Sequence, residues 1–175
     1  MTEGDWEILF PWNNDPAILH FAEGDRVTSR TMAEVKDIYR SVSRTAFCFI
    51  IEWGGQPVGE CWLQEMNLDR ILDQFSEQDC RRIDLMIGEK AYWNRGIGTR
   101  IIRMLTQLAF ERESAYAVFG CDIWGFNARS LRAFEKAGFR ESARVRQRKG
   151  SKGTMTVDMV IQSDAFSSGP ARQIS

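Results

Sequence analysis

Apolar residues along this chain alternate, run together, or recur every three to four positions, and each habit marks a different element. Trp6 to Phe10 is an apolar run with enough alternation for a strand, broken by Pro11. Residues 15–23 and 31–43 carry helical spacing. The second helix opens on Thr31 with Glu34 three places later, the signature of a capping box. Ala46–Trp53 and Val58–Leu63 are β-rich runs around Gly54-Gly55-Gln56-Pro57, which predicts an antiparallel hairpin. Residues 64–79 form a polar connection with room for one helical turn, and Arg82–Ile87 is a further strand. Ile97, Ile101, Leu105 and Leu108 then share one helical face. Ala115–Ile123 predicts a strand and Asn127–Ala137 a helix closed by Gly138. Phe139–Arg148 and Thr154–Ile161 predict two last strands around Lys149-Gly150-Ser151-Lys152-Gly153. The closing SDAFSSGPARQIS reads as a frayed tail. The expected order is β-α-α-β-β-β-α-β-α-β-β, an α/β (α+β) chain with a mixed sheet. Residues 1–163 are expected to form a single domain and 164–175 a flexible tail.

Composition narrows the function. The 175 residues are 43% hydrophobic and 27% charged, as in a soluble globular protein. The 23 basic and 24 acidic residues nearly balance, which argues against a general nucleic-acid binder. No apolar run is long enough to span a bilayer, and the N-terminus lacks the features of a secretory signal, so a cytoplasmic location is expected. Cys48, Cys61, Cys80 and Cys121 form no C-x-x-C pair, and His20 is the only histidine. No metal site is expected, and the thiols read as free and buried. A lone histidine also leaves no usual Ser-His or Cys-His nucleophile pair unless His20 serves.

The informative unit is a strand, a glycine turn and a helix. Ile83-Asp84-Leu85-Met86-Ile87 leads to Trp93-Asn94-Arg95-Gly96-Ile97-Gly98-Thr99-Arg100 and then to the apolar-periodic helix. Glycines at 96 and 98 let the backbone turn tightly and approach a ligand. The following amides, at the positive end of the helix dipole, suit a pyrophosphate. The pattern is neither a dinucleotide fingerprint nor a nucleotide-triphosphate loop. A second segment runs Asn127-Ala128-Arg129-Ser130-Leu131-Arg132-Ala133-Phe134-Glu135-Lys136-Ala137-Gly138-Phe139, with Asn127 as a helix cap by its plainest reading.

Together YWNRGIGT (92–99) and NARSLRAFEKAGF (127–139) resemble the two signature motifs of the GNAT superfamily of acetyl-CoA-dependent N-acetyltransferases. Trp93 stands where the family usually has Arg or Gln, as in ribosomal-protein N-terminal acetyltransferases and their relatives. The resemblance implies a central mixed, mostly antiparallel sheet flanked by helices, with acetyl-CoA or coenzyme A as the cofactor. Leu85, Met86 and Ile87 would pair with the pantetheine arm. The amides of Arg95, Gly96, Ile97, Gly98 and Thr99 would hold the pyrophosphate. Arg100, Asn127, Ser130 and Phe134 complete the implied cofactor set. Phe134 occupies the position where many members carry a tyrosine acid, so that acid is absent. The acceptor would enter a V-shaped opening between the strands at 82–88 and 115–123.

Arg81-Arg82-Ile83-Asp84, Gly96-Ile97-Gly98-Thr99-Arg100 and Asp122 followed by Asn127 further resemble aminoglycoside 6'-N-acetyltransferases. That resemblance implies Asp84 as base and acceptor contact and Asp122 as a second contact. By its residues alone, Asp84 equally suits a structural carboxylate facing a nearby arginine. Segment 64–79 carries five carboxylates against Arg70 alone, a balance of −4. It is either a solvated loop or an acidic wall for a cationic acceptor, and in the second case Glu77 and Asp79 belong to the substrate site. Trp124, with Trp12 and Trp62, is a wall of that site or ordinary core. The expected partner is a small-molecule amine, with no nucleic acid or membrane and a possible homodimer by family analogy. A protein N-terminus as acceptor, or an acetyl-CoA-binding sensor with little activity, are the competing expectations. The basic run Arg140, Arg144, Arg146, Arg148, Lys149 and Lys152 reads first as a solvated strand edge and second as contact with an acidic partner.

Overall fold

The computed structural model describes residues 1–24, 29–147 and 155–168. These residues build one sheet of six strands: β1 (Ala46–Trp53), β2 (Gln56–Glu65), β3 (Cys80–Met86), β4 (Ala117–Trp124), β5 (Arg140–Arg146) and β6 (Met155–Gln162). Their order is β1-β2-β3-β4-β6-β5. Every neighbouring pair is antiparallel except β3–β4, so the sheet is mixed and mostly antiparallel. The parallel pair needs a crossover, and helix α5 (Ile97–Glu111) makes it. The β1–β2 hairpin turns through Gly54 and Gly55 at φ 59° and 76°, both in the left-handed region that a tight hairpin turn demands.

Among the described residues seven α-helices flank the sheet: α1 (Trp6–Trp12), α2 (Pro16–Ala22), α3 (Met32–Val42), α4 (Asp69–Leu72), α5, α6 (Ala128–Lys136) and α7 (Ser163–Ser168). On one face Ile102, Leu105 and Ala109 of α5 and Phe134 of α6 pack on Val58, Leu63, Ile83 and Val118. On the other, Leu9, Trp12, Val35 and Tyr39 of α1 and α3 cover Ile50, Trp62 and Met86. Below them Ile71 of α4 joins Cys80, Phe119, Cys121 and Val160. The expected capping box of α3 forms, with Glu34 accepting from the Thr31 backbone and Thr31 Oγ1 from the Glu34 N–H.

Two expectations need correction. Trp6–Phe10 is the first turn and a half of α1 and not a strand. A five-residue apolar run fits both periodicities, and here Trp6, Leu9 and Trp12 form one helical face against α3. The tail begins as a helix, α7, whose Phe166 packs against Phe110 with ring centroids 5.1 Å apart and the rings tilted by 48°. The 149–153 turn, with Arg148, Lys149 and Lys152, lies outside the described residues.

The four cysteines are free, three of them buried and Cys48 partly so. Burial pushes the Cys61 thiol up to about 12. Among the described residues no group of His, Cys, Asp and Glu is placed to hold a metal ion, and no helix is long and apolar enough to cross a membrane.

Candidate active site

The site begins where the sheet comes apart. β3 and β4 share three residue pairs, Cys80↔Ala117, Arg81↔Val118 and Arg82↔Phe119, and then diverge. The opening expected between these strands is therefore present, and Leu85–Ile87 lies on its β3 side. Two clefts meet there, sharing Phe21, Ala22, Leu85, Met86, Asn127 and Ser130 in their walls.

The first cleft, about 340 Å³, surrounds the glycine turn. Gly96 takes φ 79° and caps α5 without any side-chain hydrogen bond. The opening amides of a helix have no intrahelical acceptor, so those of Ile97, Gly98 and Thr99, residues that line the cleft, are available as donors. Arg95, Arg129, Arg132 and Lys136 line it, and among the described residues no carboxylate does. Arg129 is sandwiched over the Trp93 ring at 3.7 Å and the Phe21 ring at 4.2 Å. Desolvation in that sandwich lowers its pKa. Trp93 Nε1 donates to the Ile87 carbonyl at 2.7 Å, tying the glycine turn to the end of β3. Asn127 caps α6 through the Ser130 N–H, 3.2 Å. A wall of oriented amides and four cations fits a polyanion such as a pyrophosphate.

The second cleft is larger, about 690 Å³, and lies between β3 and β4 under α2 and α3. Four carboxylates line it, Glu23, Glu60, Asp84 and Asp122, together with Arg30, Arg70, Arg82 and Arg146. Asp84 receives both Nε and Nη2 of Arg82, at 2.9 and 2.8 Å, and a hydrogen bond from Gln64. Glu23 pairs with Arg30 at 2.6 Å. Asp122 sits on a bulge, where the β4–β6 register breaks between Gly120 and Ile123, at φ 53°. Asp158 holds this conformation: 1% exposed, it accepts from the Asp122 N–H at 2.9 Å. Arg70 grips Asp158 with two bonds of 2.9 Å and Asp122 with one of 3.0 Å.

Glu60 differs from its neighbours. It is 5% exposed and has no ion pair among the described residues. Its carboxylate accepts from the Tyr39 hydroxyl and from Trp62 Nε1, the latter at 2.9 Å. Desolvation raises its pKa to about 7, against the lowering effect of both hydrogen bonds; the charge of Asp84 adds to the rise and Arg30 opposes it. Tyr39, buried beside that carboxylate, has its own pKa raised, chiefly by desolvation.

Of the residues singled out above, Leu85, Met86, Ile87, Arg95, Gly96, Ile97, Gly98, Thr99, Asn127 and Ser130 meet in the first cleft, and Asp84, Asp122 and Trp124 in the second. Phe134 lines the second cleft instead of the first, its ring buried at 2% against Gly120. Arg100 points away, into a groove between α5 and β1. Glu77 and Asp79 reach neither cleft, and Asp79 is bound to Arg81 by bonds of 2.8 and 2.9 Å. The acidic segment thus keeps its carboxylates out of the second cleft and sends in its one cation, Arg70. Trp62 is a wall; Trp12 is not, lying under Gly88 and donating to Glu89 at 2.9 Å. Sequence reasoning missed Glu60, Arg129, Arg132 and Lys136. The signal for Glu60 was a carboxylate two residues before Trp62 on an otherwise apolar strand.

Known proteins share this fold. The chain is 25% identical over 150 residues to aminoglycoside N(6')-acetyltransferase type 1 of Klebsiella pneumoniae, a match covering 83% of this chain and 74% of that protein. The structure of AAC(6')-Ib in complex with ribostamycin and coenzyme A superimposes with a TM-score of 0.76 at 24% identity, over 100% of this chain and 95% of that one. Spermidine N-acetyltransferase from Vibrio cholerae, in complex with coenzyme A and spermine, superimposes with a TM-score of 0.76 at 15% identity, over 95% and 94%. The family model of the acetyltransferase (GNAT) domain matches residues 1–140, the stretch that carries the glycine turn, the parted strands and the whole lining of the first cleft, and the chain belongs to that family.

Proposed function

We propose that this chain transfers the acetyl group of acetyl-CoA to a primary amine of a small cationic acceptor, with an aminoglycoside 6'-amino group as the best candidate. The observation that carries the reading is the pair of clefts joined at Leu85 and Met86: among the described residues the charged groups of the first are all cations, and the second sets four carboxylates among four arginines. The amides after Gly96, with Arg95, Arg129, Arg132 and Lys136, would hold the phosphates of the donor. Leu85–Ile87 would lie along its extended arm. Acetyl-CoA supplies an acyl carbon already activated as a thioester.

The acceptor binds as an ammonium ion and reacts as a neutral amine, so the second cleft has to hold a cation and remove a proton. Asp84 and Asp122 are rigid acceptors for an acceptor's ammonium and hydroxyl groups, since Arg82, Gln64 and Arg70 fix their positions. Trp62 and Trp124 supply apolar walls for a sugar face.

The test is release of free coenzyme A thiol across a panel of kanamycin-type sugars, spermidine and short peptides with free N-termini. Turnover on a 6'-amino sugar and none on its 6'-hydroxyl analogue is the expected result. Turnover on peptides alone, or coenzyme A binding without turnover on any amine, overturns it.

A further inference from the structure

Building on the transferase reading above, we infer that Glu60, and not the arginine-paired carboxylates around it, takes the proton from the acceptor's ammonium group. Three observations converge. Among the described residues four carboxylates line the acceptor cleft, of which Asp84, Asp122 and Glu23 are each bound to a guanidinium and Glu60 is not. A carboxylate gripped by a guanidinium has its lone pairs directed to a fixed cation, whereas Glu60 holds two neutral donors, one per oxygen, and keeps a lone pair on each.

Position is the second observation. Glu60 stands opposite Met86 in the β2–β3 register, and Met86 lines both clefts. The carboxylate therefore sits at the level where the two clefts communicate. Asp84 is two residues further from that junction along β3, opposite Trp62.

The third is preorganisation. The Tyr39 hydroxyl that donates to Glu60 is itself held by Asn13 Nδ2 at 2.9 Å, and Asn13 also donates to the Leu9 carbonyl at 3.0 Å. The carboxylate is thus locked by Trp62 of β2 and Tyr39 of α3, the latter held by Asn13 at the C-terminal end of α1. Charged and titratable groups facing it are Asp84 on β3, Tyr39 on α3, Arg30 ahead of α3, and the thiols of Cys48 and Cys61 on β1 and β2.

In the step, one ammonium proton passes to the Glu60 carboxylate. The freed lone pair forms the C–N bond to the acyl carbon as the C–S bond breaks. A second nitrogen proton ends on the departing sulfur as the thiol, and Glu60 returns its own proton to water. A carboxyl group that titrates near neutrality is matched to such work.

The experiment measures kcat/KM against pH for wild type, Glu60→Gln and Asp84→Asn, on whichever amine of the panel the wild type acetylates, with coenzyme A affinity as a control. Glu60→Gln should lose about 10²–10³-fold in kcat/KM. It should also lose the wild-type acid limb near pH 7 and keep its coenzyme A affinity. Tyr39→Phe, which leaves the carboxylate in place but removes a hydrogen bond that favours its charged form, should move that limb to higher pH. A Glu60→Gln enzyme within threefold of wild type, or an acid limb that only Asp84→Asn abolishes, overturns Glu60 while leaving the transferase reading intact. If Glu60→Gln fails to bind coenzyme A, an acid limb unmoved in Tyr39→Phe overturns the inference by itself. A wild type that acetylates none of the amines overturns both.

Discussion

Replacing Arg70 with methionine keeps most of the side-chain stem and removes the cation that grips Asp158 and Asp122. The cost follows from what is left behind. The Asp158 side chain is 2% exposed, so its charge would remain buried with, among the described residues, only the Asp122 N–H donating to it. Breaking a buried pair by removing one partner costs about 3–5 kcal/mol. Arg70 is itself 33% exposed, so solvent already screens part of the interaction. That screening, with the surviving N–H bond, reduces the expectation to about 2–3 kcal/mol. Urea denaturation should show it as a lower midpoint with an unchanged slope. Adding Asp158→Asn removes the stranded charge while keeping an oxygen for the Asp122 N–H, and should recover at least half of the loss. The acceptor KM should rise in Arg70→Met, with the acetyl-CoA KM unchanged, because Asp122 would lose the clamp on its left-handed backbone. A loss below about 0.5 kcal/mol, the range of an exposed ion pair, would refute the reasoning, as would a double variant no more stable than the single one.

Other consequences can be measured directly. Glu60 holds its proton more tightly folded than unfolded, so stability should fall as pH rises from 4.5 through about 7 and level off above. The component is about 3 kcal/mol, and urea midpoints of Glu60→Gln at pH 5 and pH 8 should lack it. A Cβ on Gly120 would stand 2.4 Å from Phe134 Cζ, so Gly120→Ala should cost about 1–3 kcal/mol by thermal denaturation. For the same reason Phe134→Tyr should lower the melting temperature without raising kcat, since its hydroxyl would grow from the carbon nearest Gly120. Removing Arg132 and Lys136 together, two exposed cations worth about 0.2–1 kcal/mol each, should weaken coenzyme A binding about two- to thirtyfold and flatten its salt dependence in calorimetric titrations.

The glycine turn was legible because a short motif sits between two unambiguous signals, an apolar strand and a helix with a regular apolar face. The hairpin at Gly54-Gly55 was legible for the same reason. Trp6–Phe10 was not, because five apolar residues fit either period and the choice was made by packing against Val35 and Tyr39. Counting charges in 64–79 found the excess of carboxylates but not their direction, which depends on α4 turning Arg70 toward Asp158 eighty-eight residues away. Glu60 stayed hidden because its meaning lies in register: only across from Met86, under Tyr39 and beside Trp62, does one carboxylate on an apolar strand become distinct from the paired ones.

Three parallel residue pairs join the β1–β3 half of the sheet directly to the β4–β6 half. A seam with so few rungs leaves backbone groups of β3 open to another extended chain, and an arm laid along Leu85–Ile87 would supply some of the missing rungs. Any molecule that binds only the folded state adds RT ln(1 + [L]/Kd) to its stability, about 2.7 kcal/mol at a hundredfold excess over Kd. The lifetime of the protein against proteolysis and heat would then rise and fall with the supply of that ligand, and amide exchange along β3 would report the supply before any product formed.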